Sequence, residues 1–215
     1  MLKKSIKLHW EIFDESRLKA FKKLEKYKKY GFLAGGTALA LQIGHRISYD
    51  FDIFCKKQIS NSLIENCRKD FGVAQVLVNN ADEFTFLTKN DIKITFIYYP
   101  FIFFGKLVDS KIGPGLLNIP NIASAKAYAL NRRGVWRDYL DLYFIVKNEL
   151  ADLKQIISNG EKIYEGLFNA KLFLGQLVYV KDLSKEDVKN VNLIGCSVTD
   201  KDIMDFFKVK ILELK

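Results

Sequence analysis

Between Phe32 and Phe54 the chain reads FLAGGTALALQIGHRISYDFDIF, and few folds accommodate that order. A short apolar run meets two glycines, a compact helix-forming segment follows, and two aspartates then stand one residue apart. Phe32, Leu33 and Ala34 suit the end of a buried strand. Gly35 and Gly36 let the backbone turn sharply and approach a ligand where a Cβ would intrude. Thr37 begins a helix built on Ala38, Leu39, Ala40 and Leu41, and Gly44 stands where a C-cap is wanted. The start of that helix offers unpaired N–H groups to whatever the glycines admit, which favours an anion.

After His45-Arg46-Ile47-Ser48 comes Tyr49-Asp50-Phe51-Asp52-Ile53-Phe54. The alternation predicts a strand with Phe51 and Ile53 on one face and both aspartates on the other. Two carboxylates on one face repel each other unless a cation lies between them. Mg²⁺ is usually held by one or two carboxylates plus substrate phosphates, so both halves of the stretch suit one ligand, a metal-bound polyphosphate.

Residues 35–54, GGTALALQIGHRISYDFDIF, resemble the AbiEii/AbiGii toxin branch of the polymerase-beta-like nucleotidyltransferase superfamily, with weaker similarity over most of the chain. The resemblance implies an α+β protein: a minimal nucleotidyltransferase fold, in which helices pack on a mixed β-sheet, followed by a mostly helical C-terminal lobe. On that reading residues 1–105 form the nucleotidyltransferase lobe and 106–215 the helical lobe that completes the nucleotide cleft. It implies Mg²⁺, with Mn²⁺ as a substitute, and transfer of a nucleoside monophosphate from an NTP to an acceptor hydroxyl with release of pyrophosphate. The expected partners are the NTP, tRNA or another RNA as acceptor, and an antitoxin protein, in a toxin–antitoxin or phage-defence pair. Asp50 and Asp52 would hold the metal and carry catalysis, and Gly35, Gly36 and Thr37 would hold the β- and γ-phosphates. His45 and Arg46 stand either to touch phosphates or to fix their loop through backbone carbonyls.

The same family places a third carboxylate on a neighbouring strand, where it helps bind the metal and accepts the attacking hydroxyl's proton. Here that strand reads Lys93-Ile94-Thr95-Phe96-Ile97, with Thr95 where the acid belongs. A neutral hydroxyl is a poor Mg²⁺ ligand and no general base near neutral pH. Asp91, at the expected hairpin tip, would lie about 13 Å away along an extended strand. Glu83, Asp109 and Asp138 remain as remote acids. Two readings therefore stand: an enzyme, or a catalytically impaired pseudo-nucleotidyltransferase that binds nucleotide or a partner.

A second constellation lies in IASAKAYALNRRGVWRDYLDLYFIV. Lys126 falls on a helix among small residues, and Arg137, Asp138 and Asp141 fall at one-turn spacing on the next. The resemblance points all four at the nucleotide cleft, with Lys126 as a point charge on the triphosphate. Without it, Arg137 and Asp141 read as an i,i+4 surface ion pair worth a few tenths of a kcal/mol.

Composition narrows the remaining classes. With 215 residues, 49% of them hydrophobic and 27% charged, the chain can bury a sizeable core. No apolar run approaches the ~20 residues of a membrane span, and MLKKSIKLHWE lacks a signal-peptide core, so a cytoplasmic protein is expected. Cys55, Cys67 and Cys196 are scattered, and with His9 and His45 as its sole histidines the chain has no zinc spacing or disulfide framework. The net charge of +9 is concentrated partly in residues 3–29, among them Lys3, Lys4 and Lys7. Such a surface attracts polyanions or is simply a solvated helix face. The absence of interleaved aromatics argues against a base-stacking platform.

Elsewhere the pattern predicts helices over 9–29 and 61–71, with Gly31 ending the first and releasing Phe32 into the core. Strands follow over 73–78, 84–88 and 92–98, then a crossover between lobes from Pro100 to Pro120. Helices are expected over 122–131, 136–148, 152–161, 167–180 and 200–214.

Overall fold

A computed structural model describes residues 7–179 and 191–214. Lys3, Lys4 and Val180 lie outside the described residues.

The strands follow the alternation of the sequence. They are β1 (Gly31–Ala34), β2 (Phe51–Cys55), β3 (Val73–Asn79), β4 (Glu83–Thr88) and β5 (Lys93–Tyr98). They form one sheet in the order β1-β2-β5-β4-β3, with β2 parallel to β5 and every other pair antiparallel. Phe51, Ile53, Phe84, Phe86, Ile94 and Phe96 are all buried. Helix α1 (Glu15–Lys23), the 3-10 turn after it (Leu24–Tyr27) and α3 (Asn61–Phe71) supply the rings that meet them. Phe21 lies 6.2 Å from Phe51, Tyr27 5.5 Å from Phe96, and Phe71 5.9 Å from Phe86, between ring centroids. Each such aromatic contributes roughly 2–3 kcal/mol by leaving water. One sheet face is thus committed to the core, and Asp52 lies on the other.

Two local expectations are corrected. The helix expected over 9–29 is broken into a 3-10 turn (Trp10–Ile12), α1, and a second 3-10 turn. Asp14 is extended (φ −72°, ψ 173°) and its side chain accepts from the Arg17 N–H, so it caps α1 and starts the helix there. Gly31 does not stop a helix but opens β1. A Cβ on it would lie 2.1 Å from the Phe54 carbonyl oxygen, so the two backbones approach more closely than a side chain permits. Phe32 is consequently half-buried, 6.4 Å from Phe54 on the outward face.

Residues 105–118 fold back against β1. The Leu33 N–H donates to the Gly115 carbonyl (2.9 Å), the Leu117 N–H to the Leu33 carbonyl (2.8 Å), and Gln42 Nε2 to the Leu117 carbonyl (2.8 Å). The chain accordingly divides into one compact unit of 1–100 with 105–118, and another of 101–104 with 119–215. The second unit is helical: α4 (Ile119–Leu130), α5 (Trp136–Lys147), α6 (Leu153–Tyr164), α7 (Ala170–Leu177) and α8 (Asp200–Leu212). Asp152, Asn169 and Thr199 cap three of these helices, and Asn169 delays α7 past the expected Leu167. Trp136, Tyr139, Tyr164, Phe173 and Phe207 fill the interior. Among the described residues, no helix is long and apolar enough to cross a membrane.

Candidate active site

Helix α2 runs Gly35–Ile43 and begins at the end of β1. Its N-cap, Ala34, has an extended backbone and no side-chain cap, so the first N–H groups are left to the glycine turn. Gly35 adopts φ +65°, and a Cβ there would come within 2.5 Å of Asp52 Oδ2. Both observations demand glycine, and together they show that the Asp52 carboxylate is seated against the start of α2. Gly44, at φ +65°, closes the helix as expected.

Thr37 is buried, and its Oγ1 donates to the Asp50 carbonyl while lying 2.7 Å from Ser48 Oγ. Its hydroxyl thus ties the first turn of α2 to the segment entering β2. Arg46 is also buried and donates to the Ile47 carbonyl at 3.1 Å, a contact that fixes its loop. His45 is buried beside it in sequence.

The register between β2 and β5 then builds a row of polar side chains. Phe51 is opposite Ile94 and Asp52 opposite Thr95, so Lys93 falls beside Asp50. Lys93 Nζ lies 2.9 Å from Asp50 Oδ2, with both side chains partly exposed. Sequence reasoning overlooked Lys93, whose signal was its place two residues before Thr95 on the strand paired with the Asp-x-Asp strand. Thr95 stands directly across from Asp52, at the position where the resemblance expected an acid. Across the next strand Thr85 pairs with Thr95, and their hydroxyl oxygens are 3.1 Å apart. Thr85 Oγ1 donates to Glu83 Oε1 at 2.6 Å.

The second constellation lies wholly within the helical unit. Lys126 Nζ lies 2.6 Å from Asp138 Oδ1 and 2.7 Å from Asp141 Oδ2. Asp141 is 0% exposed and the other two are each 7% exposed. The i,i+3 spacing puts both carboxylates on one side of α5, facing the lysine of α4. Asp141 is therefore not half of a solvated surface pair, and the correction follows from its complete burial. Arg137, which precedes Asp138 in α5, is exposed.

Cys55, at the end of β2, and Cys67 are buried thiols pushed up to about 12 by desolvation, so neither supplies a thiolate nucleophile. Among the described residues no group of three or more His, Cys, Asp or Glu side chains forms a metal site by itself. The residues present fit a hard cation nonetheless. Asp52 lies over a glycine cradle that a Cβ would fill, and Asp50, two residues earlier, already has a cation at its side. That donor set suits an ion completing its oxygen shell with substrate phosphates.

No protein-family model matches the chain. An uncharacterized protein of Aquifex aeolicus is 28% identical over 185 residues, which cover 85% of this chain and 86% of that one. Among solved structures, MenT4, a nucleotidyltransferase toxin of Mycobacterium tuberculosis, superposes with a TM-score of 0.62 at 13% identity, covering 96% of this chain and 87% of its own. JHP933 from Helicobacter pylori superposes with a TM-score of 0.54 at 18% identity, covering 96% and 94%. The chain thus has the α+β fold of these proteins, with a five-stranded mixed sheet and helices.

Proposed function

We propose that the protein is a metal-dependent nucleotidyltransferase of the AbiEii toxin type, moving a nucleoside monophosphate from an NTP to a hydroxyl of RNA. The observation that carries this reading is the seating of the Asp52 carboxylate on Gly35, at the uncapped start of α2, with Asp50 two residues away. The shared fold with a nucleotidyltransferase toxin supports it.

In this reading the β- and γ-phosphates rest on the N–H groups of Gly35, Gly36 and Thr37, where the backbone is bare and the helix start attracts negative charge. Bound Mg²⁺ would supply charge neutralisation between Asp50, Asp52 and the phosphates. Lys93 holds Asp50 before substrate arrives, lessening the repulsion between the two carboxylates. Thr37 and Arg46 keep the segment into β2 in place, so the carboxylates need no reorganisation when the substrate binds. The net charge of +9 favours an RNA acceptor, tRNA among them, through its phosphates. An antitoxin protein is the expected partner, and the cytoplasm the expected compartment.

The test is incubation of the protein with Mg²⁺, each α-labelled NTP and total tRNA, beside the Asp50→Ala/Asp52→Ala variant. Label on RNA with the wild type, reduced by about three orders of magnitude in the variant, is expected from losing several kcal/mol of metal-borne stabilisation. Equal labelling by both proteins would overturn the site. A second reading, a nucleotide- or partner-binding pseudo-enzyme, is favoured by one observation, Thr95 opposite Asp52. Binding of Mg-NTP without transfer to any acceptor would select it.

A further inference from the structure

Resting on the nucleotidyl-transfer reading of Asp50 and Asp52, we propose that the pocket between α1 and the β4–β5 turn holds the phosphodiester backbone of the acceptor RNA and leads it to that site.

The pocket has a volume of about 430 Å³ and lies within the sheet unit. Lys19, Lys22 and Lys23 of α1 line it, and Lys89 of the turn joins them. Ala20, Phe71 and Ile92, all buried, give it an apolar floor. No carboxylate is among the described residues that line it, and the acids nearest in sequence are engaged or lie outside it. Glu15 binds Lys19 at 2.6 Å, a strongly exposed pair that an incoming anion exchanges at little cost. Asp70 accepts from Lys26 and Tyr27 at 3.2 and 3.1 Å, and its carbonyl takes the Lys23 ammonium at 2.8 Å. Asp91 is exposed in the same turn. That leaves Lys22 and Lys89, both exposed, with no hydrogen bond or ion pair from their ammonium groups among the described residues. A pocket of this volume is about 9 Å across, close to the ~8 Å Debye length at physiological salt, so its charges repel until an anion enters.

The side chains present select a backbone over a base or a single phosphate. Ammonium groups on flexible stems are point charges that follow a chain of phosphates, whereas the planar fork that grips one phosphate bidentately belongs to arginine, and no arginine lines the pocket. Its one aromatic ring, Phe71, is 8% exposed and offers no face for stacking. Ser16 and Asn90 add neutral donors suited to phosphate oxygens. The fold joins this pocket to the carboxylates by two routes. Lys93, which follows Ile92 at the start of β5, has its Nζ 2.9 Å from Asp50 Oδ2. Arg17, which follows Ser16 on α1, lies 4.8 Å from the ring centroid of Tyr49, the residue before Asp50. From Lys89 to Lys93 the chain spans at most ~13 Å, which about four phosphates of one strand cover at ~3.4 Å each.

The experiment follows the anisotropy of fluorescent total tRNA on titration with protein over a series of KCl concentrations. It compares the wild type with Lys22→Ala/Lys89→Ala, with Lys22→Glu/Lys89→Glu, and with Lys162→Ala/Lys171→Ala, which removes two exposed lysines from the helical unit. The pocket variant is expected to bind tRNA about tenfold more weakly at low salt, with a salt slope shallower by about 1.4, or ~0.7 for each lost phosphate contact. Charge reversal is expected to weaken binding further, and the helical-unit control to stay within about twofold of wild type. In the labelling reaction KM for tRNA rises in step, while kcat and KM for the NTP are kept. Thermal melts check that each variant folds. Wild-type affinity in both pocket variants, or an equal loss in the control, overturns the RNA pocket and leaves the transferase reading intact. Displacement of tRNA by inorganic phosphate as effective as that by unlabelled RNA of equal phosphate content shows a single-anion pocket and also overturns it. Stronger displacement by polyglutamate than by RNA overturns it in favour of an acidic protein partner. Absence of transfer by the wild type, with lysine-dependent tRNA binding retained, overturns the transferase reading while the binding still supports the pocket.

Discussion

The two groups of carboxylates in this protein are built on opposite principles. Asp52 lies on β2 and Asp50 just before it, both with partial exposure, and the nearby cation, Lys93, comes from the neighbouring strand and is itself about one-third exposed. Asp138 and Asp141 lie on a helix out of contact with water, and their lysine is as buried as they are. In the first group each charge keeps part of its hydration, so a ligand can replace Lys93 at modest cost. In the second, desolvation has already occurred, and only the mutual attraction of three charges makes burial tolerable. The first arrangement is open to exchange with an added ion, whereas the second is closed around its lysine.

That contrast is open to mutation. The largest effect is expected from Lys126→Ala, which strands two buried carboxylates and should cost about 3–5 kcal/mol of unfolding free energy, measured by urea titration. A loss below 1 kcal/mol would show that the cluster is wetter than its burial implies and would erase the contrast. Gly35→Ala comes next. The left-handed backbone costs an L-residue about 1–2 kcal/mol, and the new Cβ must displace Asp52 Oδ2, so activity is expected to fall far more than stability. Equal loss of both would mean that the glycine serves the fold alone. The smallest effect belongs to Lys93→Ala, the open counterpart of Lys126→Ala. A partly exposed pair is worth less than about 1 kcal/mol, and its loss should shrink further as salt is raised. A cost equal to that of Lys126→Ala would place Asp50 among the closed sites.

Much of this was legible in the residues. The strands could be read because alternation with period two reports which face is buried, and Phe51 and Ile53 are indeed inward while Asp52 is not. The glycine turn and its helix were legible because both depend on backbone preferences within a few residues. The stretch from Pro100 to Pro120 reads as a crossover because its glycines and prolines look like a linker, yet residues 105–118 belong to the sheet unit. Its hydrogen bonds to Leu33 are made across more than seventy residues of sequence, and no local pattern announces them. Arg137 and Asp141 misled in the same way: their spacing suggested an exposed pair, yet α5 turns Asp141 wholly inward.

The sequence by itself determined the five strands and most of the helices, the committed face of the sheet, and the succession of a glycine turn and an Asp-x-Asp strand, since each follows from dihedral preference and periodicity over short spans. It also determined that Thr95 carries no charge. Tertiary structure alone decided that β5 lies parallel beside β2, which brings Lys93 to Asp50, sets Thr95 across from Asp52, and lines up Thr85 and Glu83 behind it. It alone decided that Lys126 meets Asp138 and Asp141 out of water. The reason is the same in both cases: register and burial are set by how distant segments pack, and a side chain's chemistry depends on the neighbours that packing supplies.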